Sequence, residues 1–531
     1  MTDQLAAQIR VARQHTIGDL LRRSARRVPD KTAIRCGAVE WSFAEFDALT
    51  NRLARGLLAR GLAVGDRVAV VSRNSHAFAA LRFALARAGL VMVPVNFMLN
   101  AEEIAFILRS SGARALAFGP EFEAVTREAA HGTAVEWRLA LPGEDKAPAA
   151  HDGPGFDDLM DADDSPLLLG LDESALAQIV YTSGTESAPK GAMLTHGAVM
   201  WQYVSCIVEG GMTADDVILH ALPLYHCAQL DVFLGPAIYL GMTSVITGTP
   251  TPDVILPMLE RHGITSFFCP PTVWIGLLRS PLFDQTDLSR LKKGYYGASI
   301  MPVEVLKELA RRAPQVRLWN FYGQTEIAPL ATALQPEEQL SRAGSAGRAA
   351  LNVETRVVDE RMRDVGPGEV GEIVHRSPHL MSGYWNDPDK TAAAFEGGWF
   401  HSGDLGIMDA EGVVTVVDRK KDMIKTGGEN VSSREVEEAI YLLPGVSEVA
   451  VIGLPDPRWI ETVTAVVVPK AGAELSEAMI LAHCRERLAH YKAPKKAILV
   501  EALPKNPSGK VLKRDLRLRF GGGEHLPGAV A

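Results

Sequence analysis

The sequence predicts an α/β fold: a large N-terminal part made of two α/β sheet lobes plus a small β-barrel lobe, followed by a small α+β C-terminal domain. Three observations predict it. Strand and helix periods alternate over residues 41–119. The alternation returns from residue 177 to about 313. After Gly344 it gives way to short strands separated by glycine turns.

Each element follows from local pattern. Residues 43–58 carry apolar side chains at helical spacing, Gly65-Asp66 is a turn, and 67–71 (RVAVV) reads as a short buried strand. Residues 77–88 are again helical and 91–95 a strand. The stretch 140–166 is rich in Ala, Pro, Gly and Asp and marks a lobe boundary. Strands are expected at 177–181, 217–222, 244–247 and 266–269, and in the β lobe at 354–359, 371–375 and 413–418. The last segment reads as helix 433–442, strands 446–453 and 463–469, helix 477–488 and a basic tail. At about 110 residues it is long enough to fold alone. The division is placed between a large domain, 1–418, and a small one, 419–531.

Composition narrows the class. The chain has 531 residues, 47% hydrophobic and 22% charged, which offers ample apolar surface to offset chain entropy. With 55 basic and 64 acidic residues the net charge is −9, against a whole-protein grip on nucleic acid. Five scattered cysteines (Cys36, Cys206, Cys227, Cys269, Cys484) form no disulfide or metal pattern and fit reduced thiols in the cytoplasm. Residues 1–13 are charged and do not read as a signal peptide. No apolar run approaches 18 residues; even 85–95 is broken by Arg87 and Pro94, so no transmembrane segment is expected.

The strand at 177–181 runs into Thr182-Ser183-Gly184-Thr185-Glu186-Ser187-Ala188-Pro189-Lys190-Gly191. Hydroxyls, glycines and one lysine after a strand suggest a phosphate cradle, with N–H and O–H donors on anionic oxygens and a lysine adding charge. It is not a Walker A loop, because Pro189 stands where that loop needs glycine. The string resembles the phosphate loop of the adenylate-forming superfamily, whose usual form is Thr-Ser-Gly-Thr-Thr-Gly-x-Pro-Lys-Gly. That superfamily includes acyl-CoA synthetases, luciferases and peptide-synthetase adenylation domains. This chain departs at Glu186 and Ser187. A carboxylate facing phosphate at ~4 Å would cost roughly 4 kcal/mol at an effective dielectric of 20. Glu186 is therefore expected to face solvent or to help hold the metal or Lys190.

Further segments resemble the same superfamily in its order, over nearly the whole chain. In Leu222-Pro223-Leu224-Tyr225-His226-Cys227, the resemblance puts His226 by the acyl carboxylate, gating the acyl tunnel. Tyr295-Tyr296-Gly297-Ala298-Ser299 looks like the adenine-side strand, with Gly297 and Ala298 letting the base approach the backbone. In Trp319-Asn320-Phe321-Tyr322-Gly323-Gln324-Thr325-Glu326, the resemblance implies that Tyr322 stacks on adenine and Asn320 meets its polar edge. The resemblance likewise puts Phe321 and Gly323 in the nucleotide site, implies that Thr325 touches phosphate, and implies that Glu326 with Thr185 would hold Mg²⁺. His401-Ser402-Gly403-Asp404 implies that Asp404 accepts from both ribose hydroxyls. Arg419 would reach ribose or phosphate, Lys421 falls at the hinge of a mobile small domain, and Gly427-Gly428 lines the pantetheine channel. Pro504-Lys505-Asn506-Pro507-Ser508-Gly509-Lys510 matches the loop presenting a catalytic lysine, Lys510.

The resemblance thus implies an ATP-dependent acyl-CoA ligase using ATP, Mg²⁺ and coenzyme A. Thr182, Ser183, Gly184, Thr185 and Lys190 would cradle phosphate. Two alternatives stand beside it: delivery of the acyl group to a carrier protein, and a nucleotide-binding homologue without chemistry. Amino-acid-activating relatives carry Asp where this chain has His226, which points away from an amino acid. The expected acyl wall is Gln229, Phe233, Val273, Trp274, Gly297, Ile300 and Ala328, mostly apolar, for a fatty or an aryl acid. The closest resemblance is to fatty-acyl-CoA synthetases. The basic, leucine-interleaved tail 511–520 reads as a helix covering the small domain, with peripheral contact to a membrane or an acidic carrier protein as the other reading. A monomer and a homodimer are equally compatible with the sequence.

Overall fold

The computed structural model describes residues 3–182, 189–299, 301–419, 422–426, 429–505 and 511–521. Four sheets organise them. The first has six strands in the spatial order Trp137–Ala140, Ala115–Phe118, Arg67–Val71, Val91–Pro94, Leu176–Thr182, Lys190–Thr195. All neighbours are parallel except the last pair. Parallel strands are covered on both faces, which is why Val91–Pro94 and Ala115–Phe118 are apolar without alternation and wholly buried.

The second sheet has nine strands: Arg348–Ala349, Leu330–Leu334, Arg317–Gly323, Lys293–Gly297, Ser266–Phe268, Val217–His220, Thr243–Ile246, Thr32–Cys36 and Val39–Ser42. The central strands are parallel. The expected strand 217–222 stops at His220 because Pro223 has no N–H to continue a ladder and restrains Leu222. The hairpin Thr32–Cys36/Val39–Ser42, absent from the sequence reading, completes this sheet by pairing Ile34 with Ser244.

Between the two sheets runs helix His76–Ala88, every residue of which is buried. It packs on helices Ile17–Arg27 and Phe43–Ala59 and touches a strand of each sheet. Its start is capped by the Ser75 hydroxyl, and Gly89 closes it at φ 66°. The helix carries two buried arginines, each with an acidic partner: Arg82 with Asp231 at 3.0 Å, and Arg87 with Asp47 and Asn51.

The β lobe after Gly344 is an antiparallel meander of Glu354–Val358, Gly371–Arg376, Phe400–Met408 and Val414–Arg419. No ladder among the described residues joins its first strand to its last. It is therefore an open sheet where a small barrel was expected; four strands are too few to close around side chains.

The C-terminal sheet holds Glu429–Val431, Ile424–Thr426, Ile460–Pro469 and Val446–Asp456, with Lys496–Leu499 parallel to Ile460–Pro469. Helices Ser433–Tyr441 and Glu477–Arg487 lie where the periodicity placed them. The basic tail forms helix Lys513–Phe520, whose Leu516 is buried with Ile452, Val466 and Leu503. Two arginines tie this part to the rest. Arg279 bonds the Ser447 carbonyl at 2.9 Å and also its hydroxyl. Arg434 donates to the Gly344 carbonyl at 2.5 Å. Among the described residues no helix is long and apolar enough to cross a membrane. All five cysteines are buried and free.

Candidate active site

In open parallel sheets, ligands gather beyond the carboxyl ends of the strands. Here those ends carry the residues singled out in the sequence. Gly297 ends strand Lys293–Gly297, Tyr322 and Gly323 end Arg317–Gly323, and His226 lies in the turn after Val217–His220. The first sheet brings Thr182 and Lys190 as register partners across its antiparallel edge. The β lobe brings Asp404 and Arg419 as another such pair.

Glu326 is the centre of one cluster. Only 8% of it is exposed, and Oε1 accepts from the Tyr384 hydroxyl at 3.0 Å. The Tyr384 ring in turn lies 5.1 Å from the Lys190 ammonium. Burial raises the Glu326 carboxyl above the usual range; its own backbone, Tyr384, Arg419 and Lys190 pull it back in part. A buried carboxylate held this way has an unmet demand for positive charge. Mg²⁺ takes one or two protein carboxylates and completes its shell with phosphates and water, so Glu326 fits that ion. Among the described residues no group of three or more acidic, His or Cys side chains gathers as a cage.

The second cluster is Asp404. Its Oδ2 accepts from the Tyr322 hydroxyl at 2.7 Å, and Arg419 Nε stands 3.4 Å from Oδ1. Burial and the Asp404 charge push the Tyr322 phenol well above its usual range, so it remains a donor. Both carboxylate oxygens are therefore engaged, and the longer Arg419 contact is the one a ribose hydroxyl could replace.

Neighbouring backbone is held for close approach. A Cβ on Gly297 would stand 2.4 Å from the Phe321 carbonyl, and one on Gly323 1.8 Å from the Pro329 carbonyl. Ala298 and Ala328 hold φ of 63° and 68°, a left-handed conformation that costs an L-residue about 1–2 kcal/mol. Asn320 donates to the Ser345 carbonyl at 2.8 Å, and the Thr325 hydroxyl lies 3.3 Å from the Cys227 sulfur. Burial pushes the Cys227 thiol up to about 12, so it is a structural neighbour of the site and not a nucleophile.

Beside the clusters is a narrow cleft lined by His226, Ala228, Gln229, Phe268, Pro270 and Ala298. His226 Nδ1 accepts the Ala228 N–H at 3.1 Å, which caps the following turn and leaves Nε2 as the other ring position. Of the expected acyl wall, Gln229 lies on this cleft. Phe233 stands behind it, stacked on Phe268 at 4.5 Å. Trp274 is fixed in the core by its bond to the Tyr295 carbonyl at 3.1 Å, with Val273 half-buried beside it. Ala328 is wholly buried. Ser183, Gly184, Thr185, Glu186, Ser187, Ile300, Lys421, Gly427, Gly428 and Lys510 lie outside the described residues.

Sequence reasoning gave no role to Tyr384. A tyrosine beside Lys190 and Glu326 shows itself only once residues 190, 326 and 384 meet. It also missed His220, a buried strand-end residue bonded to Gln229.

Comparison with known proteins identifies the family. The AMP-binding enzyme family matches residues 21–385, and the AMP-binding enzyme C-terminal domain matches 435–510. A feruloyl-CoA synthase of an Amycolatopsis species is 38% identical over 96% of this chain and 100% of its own. The long-chain-fatty-acid–CoA ligase FadD13 of Mycobacterium tuberculosis is 36% identical over 91% and 93%. The crystal structure of ATP-bound MatB from Rhodopseudomonas palustris superposes with a TM-score of 0.86 at 32% identity, covering 95% of this chain and 99% of that one.

Proposed function

Because this chain belongs to the AMP-binding enzyme family and is an ATP-dependent acyl-CoA ligase working through an acyl adenylate, we propose which side chains carry that reaction and which acid it takes. A carboxylate is a poor electrophile, since its leaving group would be oxide. Its attack on the α-phosphate of ATP releases pyrophosphate and leaves an acyl-AMP, from which AMP departs when the CoA thiol attacks the carbonyl. The obstacle in the first step is bringing an anion up to a polyanion.

The observation that carries the assignment is electrostatic. Arg419 acts on Glu326 and on the Tyr322–Asp404 pair alike, and Lys190 acts on Glu326, so the two clusters form one site. Lys190 and Thr182 serve the phosphates, with Ser183, Gly184 and Thr185 of the same loop. Glu326 holds Mg²⁺, which when bound supplies positive charge to the phosphates. Tyr322 stacks on adenine, Asp404 with Arg419 takes the ribose, and His226 faces the acyl carboxylate. Lys510 brings its ammonium to the reacting oxygens during adenylation. The small domain, 419–531, then turns about Lys421 to bring Gly427-Gly428 to the thiol.

Lys510→Ala tests this division. Losing one preorganised donor costs ~10²–10³-fold in rate. Pyrophosphate exchange is expected to fall by that order, while acyl-AMP supplied from outside still yields thioester with CoA. Equal loss in both half-reactions would remove Lys510 from this role.

The acid is aromatic. The Phe268 ring, held by its stack on Phe233, offers the cleft a fixed flat wall, and the feruloyl-CoA synthase matches over its whole length. A pyrophosphate-exchange panel of benzoates, cinnamates and straight-chain alkanoates decides: aryl acids should give the larger kcat/KM, and a lead for the alkanoates reverses the assignment. Five buried, unpaired thiols support a place in the reducing cytoplasm.

A further inference from the structure

We propose that Gln229, in the floor of the acyl cleft, and His220, bonded to it from the core, form a coupled hydrogen-bonding pair, selecting aromatic acids that carry a polar ring substituent such as a hydroxyl. The inference rests on the reading of the cleft beside His226 as the acyl site.

Gln229 lines the cleft yet is only 1% exposed, and its neighbours there are Leu222, Pro223, Ala228, Phe268 and Pro270. Its amide nitrogen lies 2.7 Å from Nδ1 of His220, which is fully buried. The remaining polar atom of each partner, Gln229 Oε1 and His220 Nε2, has no hydrogen-bond partner among the described residues. An unmet buried polar atom is destabilising, so a site meant for a plain hydrocarbon would be better served by leucine at position 229.

The pair can present either polarity. Burial lowers His220 to about 3, so the imidazole is neutral, with one donor and one acceptor nitrogen. If Nδ1 accepts from the Gln229 amide, Oε1 is left as a free acceptor. If the amide turns over and Nδ1 carries the proton, Oε1 accepts from it and the free group is an NH₂ donor. A phenolic hydroxyl, both donor and acceptor, is served in either state. The floor is also held still. The Asn74 amide donates to the Leu222 carbonyl at 2.7 Å and the Thr247 carbonyl at 3.0 Å, and its oxygen takes the Leu224 N–H at 2.7 Å.

The test compares benzoate with 4-hydroxybenzoate and cinnamate with 4-hydroxycinnamate as substrates of the full-length enzyme. The wild type should favour the hydroxylated member of at least one pair in kcat/KM. Gln229→Leu should lower that preference about tenfold or more, chiefly through KM, because a hydrogen-bonded site discriminates far more sharply than an apolar one. Gln229→Met provides a second apolar variant should Leu perturb packing, and the ATP-induced rise in melting temperature shows that each variant has folded. The proposal is overturned if the preference is the same in wild type and both variants, or if the wild type has none; the aryl-acid reading then still stands. If alkanoates alone are activated, that reading fails and this inference with it.

Discussion

At the scale of single residues, the proposed role of Glu326 as the Mg²⁺ ligand implies a pH limit on adenylation. Burial raises it, and the Tyr384 hydroxyl is one of the groups that bring it down. Only the ionised form can hold a divalent cation, so activity should rise as pH climbs through this raised value. Tyr384→Phe keeps the ring beneath Lys190 and removes the donor. A hydrogen bond of about 1 kcal/mol corresponds to somewhat under one pH unit, and the acid limb should move upward by about that much. The check is pyrophosphate exchange against pH at subsaturating Mg²⁺; superimposable limbs would show that Tyr384 does not tune this carboxyl. Residues of this kind divide by how the sequence reveals them. Lys190, Asp404 and Glu326 sit in contiguous strings with recognisable chemistry. Tyr384 and His220 act across the fold, and nothing adjacent to them in the chain marks their partners.

At the scale of elements, the segment that begins at His226 is irregular in path and held by buried bonds. It passes from Cys227–Gln229 through a wide π-helical turn, Leu230–Leu234, into Gly235–Leu240. The wide turn places Asp231 inward, where Arg82 reaches it at 3.0 Å, the Gln178 amide at 2.7 Å and the Tyr203 hydroxyl at 3.2 Å. All four are at most 1% exposed. Removing one partner of such a pair strands the other charge, so Arg82→Met alone should cost about 3–5 kcal/mol. Combining it with Asp231→Leu should recover most of that loss in urea denaturation. A double variant no more stable than the single one would show that the two charges are not coupled. Periodicity revealed the helix containing Arg82 and three strands in each of the two large sheets, and left others, such as Ala115–Phe118, Lys190–Thr195 and Leu330–Leu334, unread. It did not reveal the pairing of Arg82 with Asp231, nor the strands Thr32–Cys36 and Val39–Ser42. Those two are only five and four residues long, and they join their sheet through a partner some two hundred residues away.

At the scale of the whole molecule, four buried histidines make the fold sensitive to acid. Burial lowers His196 and His220 to about 3 and His375 and His379 to about 4. In the unfolded chain each takes up a proton near the ordinary value of 6.5. Below that value the unfolded state binds more protons, so stability falls as pH drops from about 6.5 toward 4. The slope is about 1.4 kcal/mol per pH unit for each histidine. Denaturant midpoints at pH 7.5, 6 and 5 should fall gently at first and more steeply below pH 6; a flat profile would mean that these rings are protonated in place. The large arrangement itself was legible as two alternating regions, a β region and a separable C-terminal segment. Strand order was not, because it depends on which apolar faces meet.

The seam between that C-terminal segment and the remainder has a practical corollary. The guanidinium groups of Arg279 and Arg434 grip uncharged oxygens there, those of Ser447 and Gly344. Brine weakens attraction between opposite ions but finds little to screen in such a grip. Added salt should therefore leave these two hydrogen-bonded contacts largely in place, and whatever breaks them must compete for those oxygens directly.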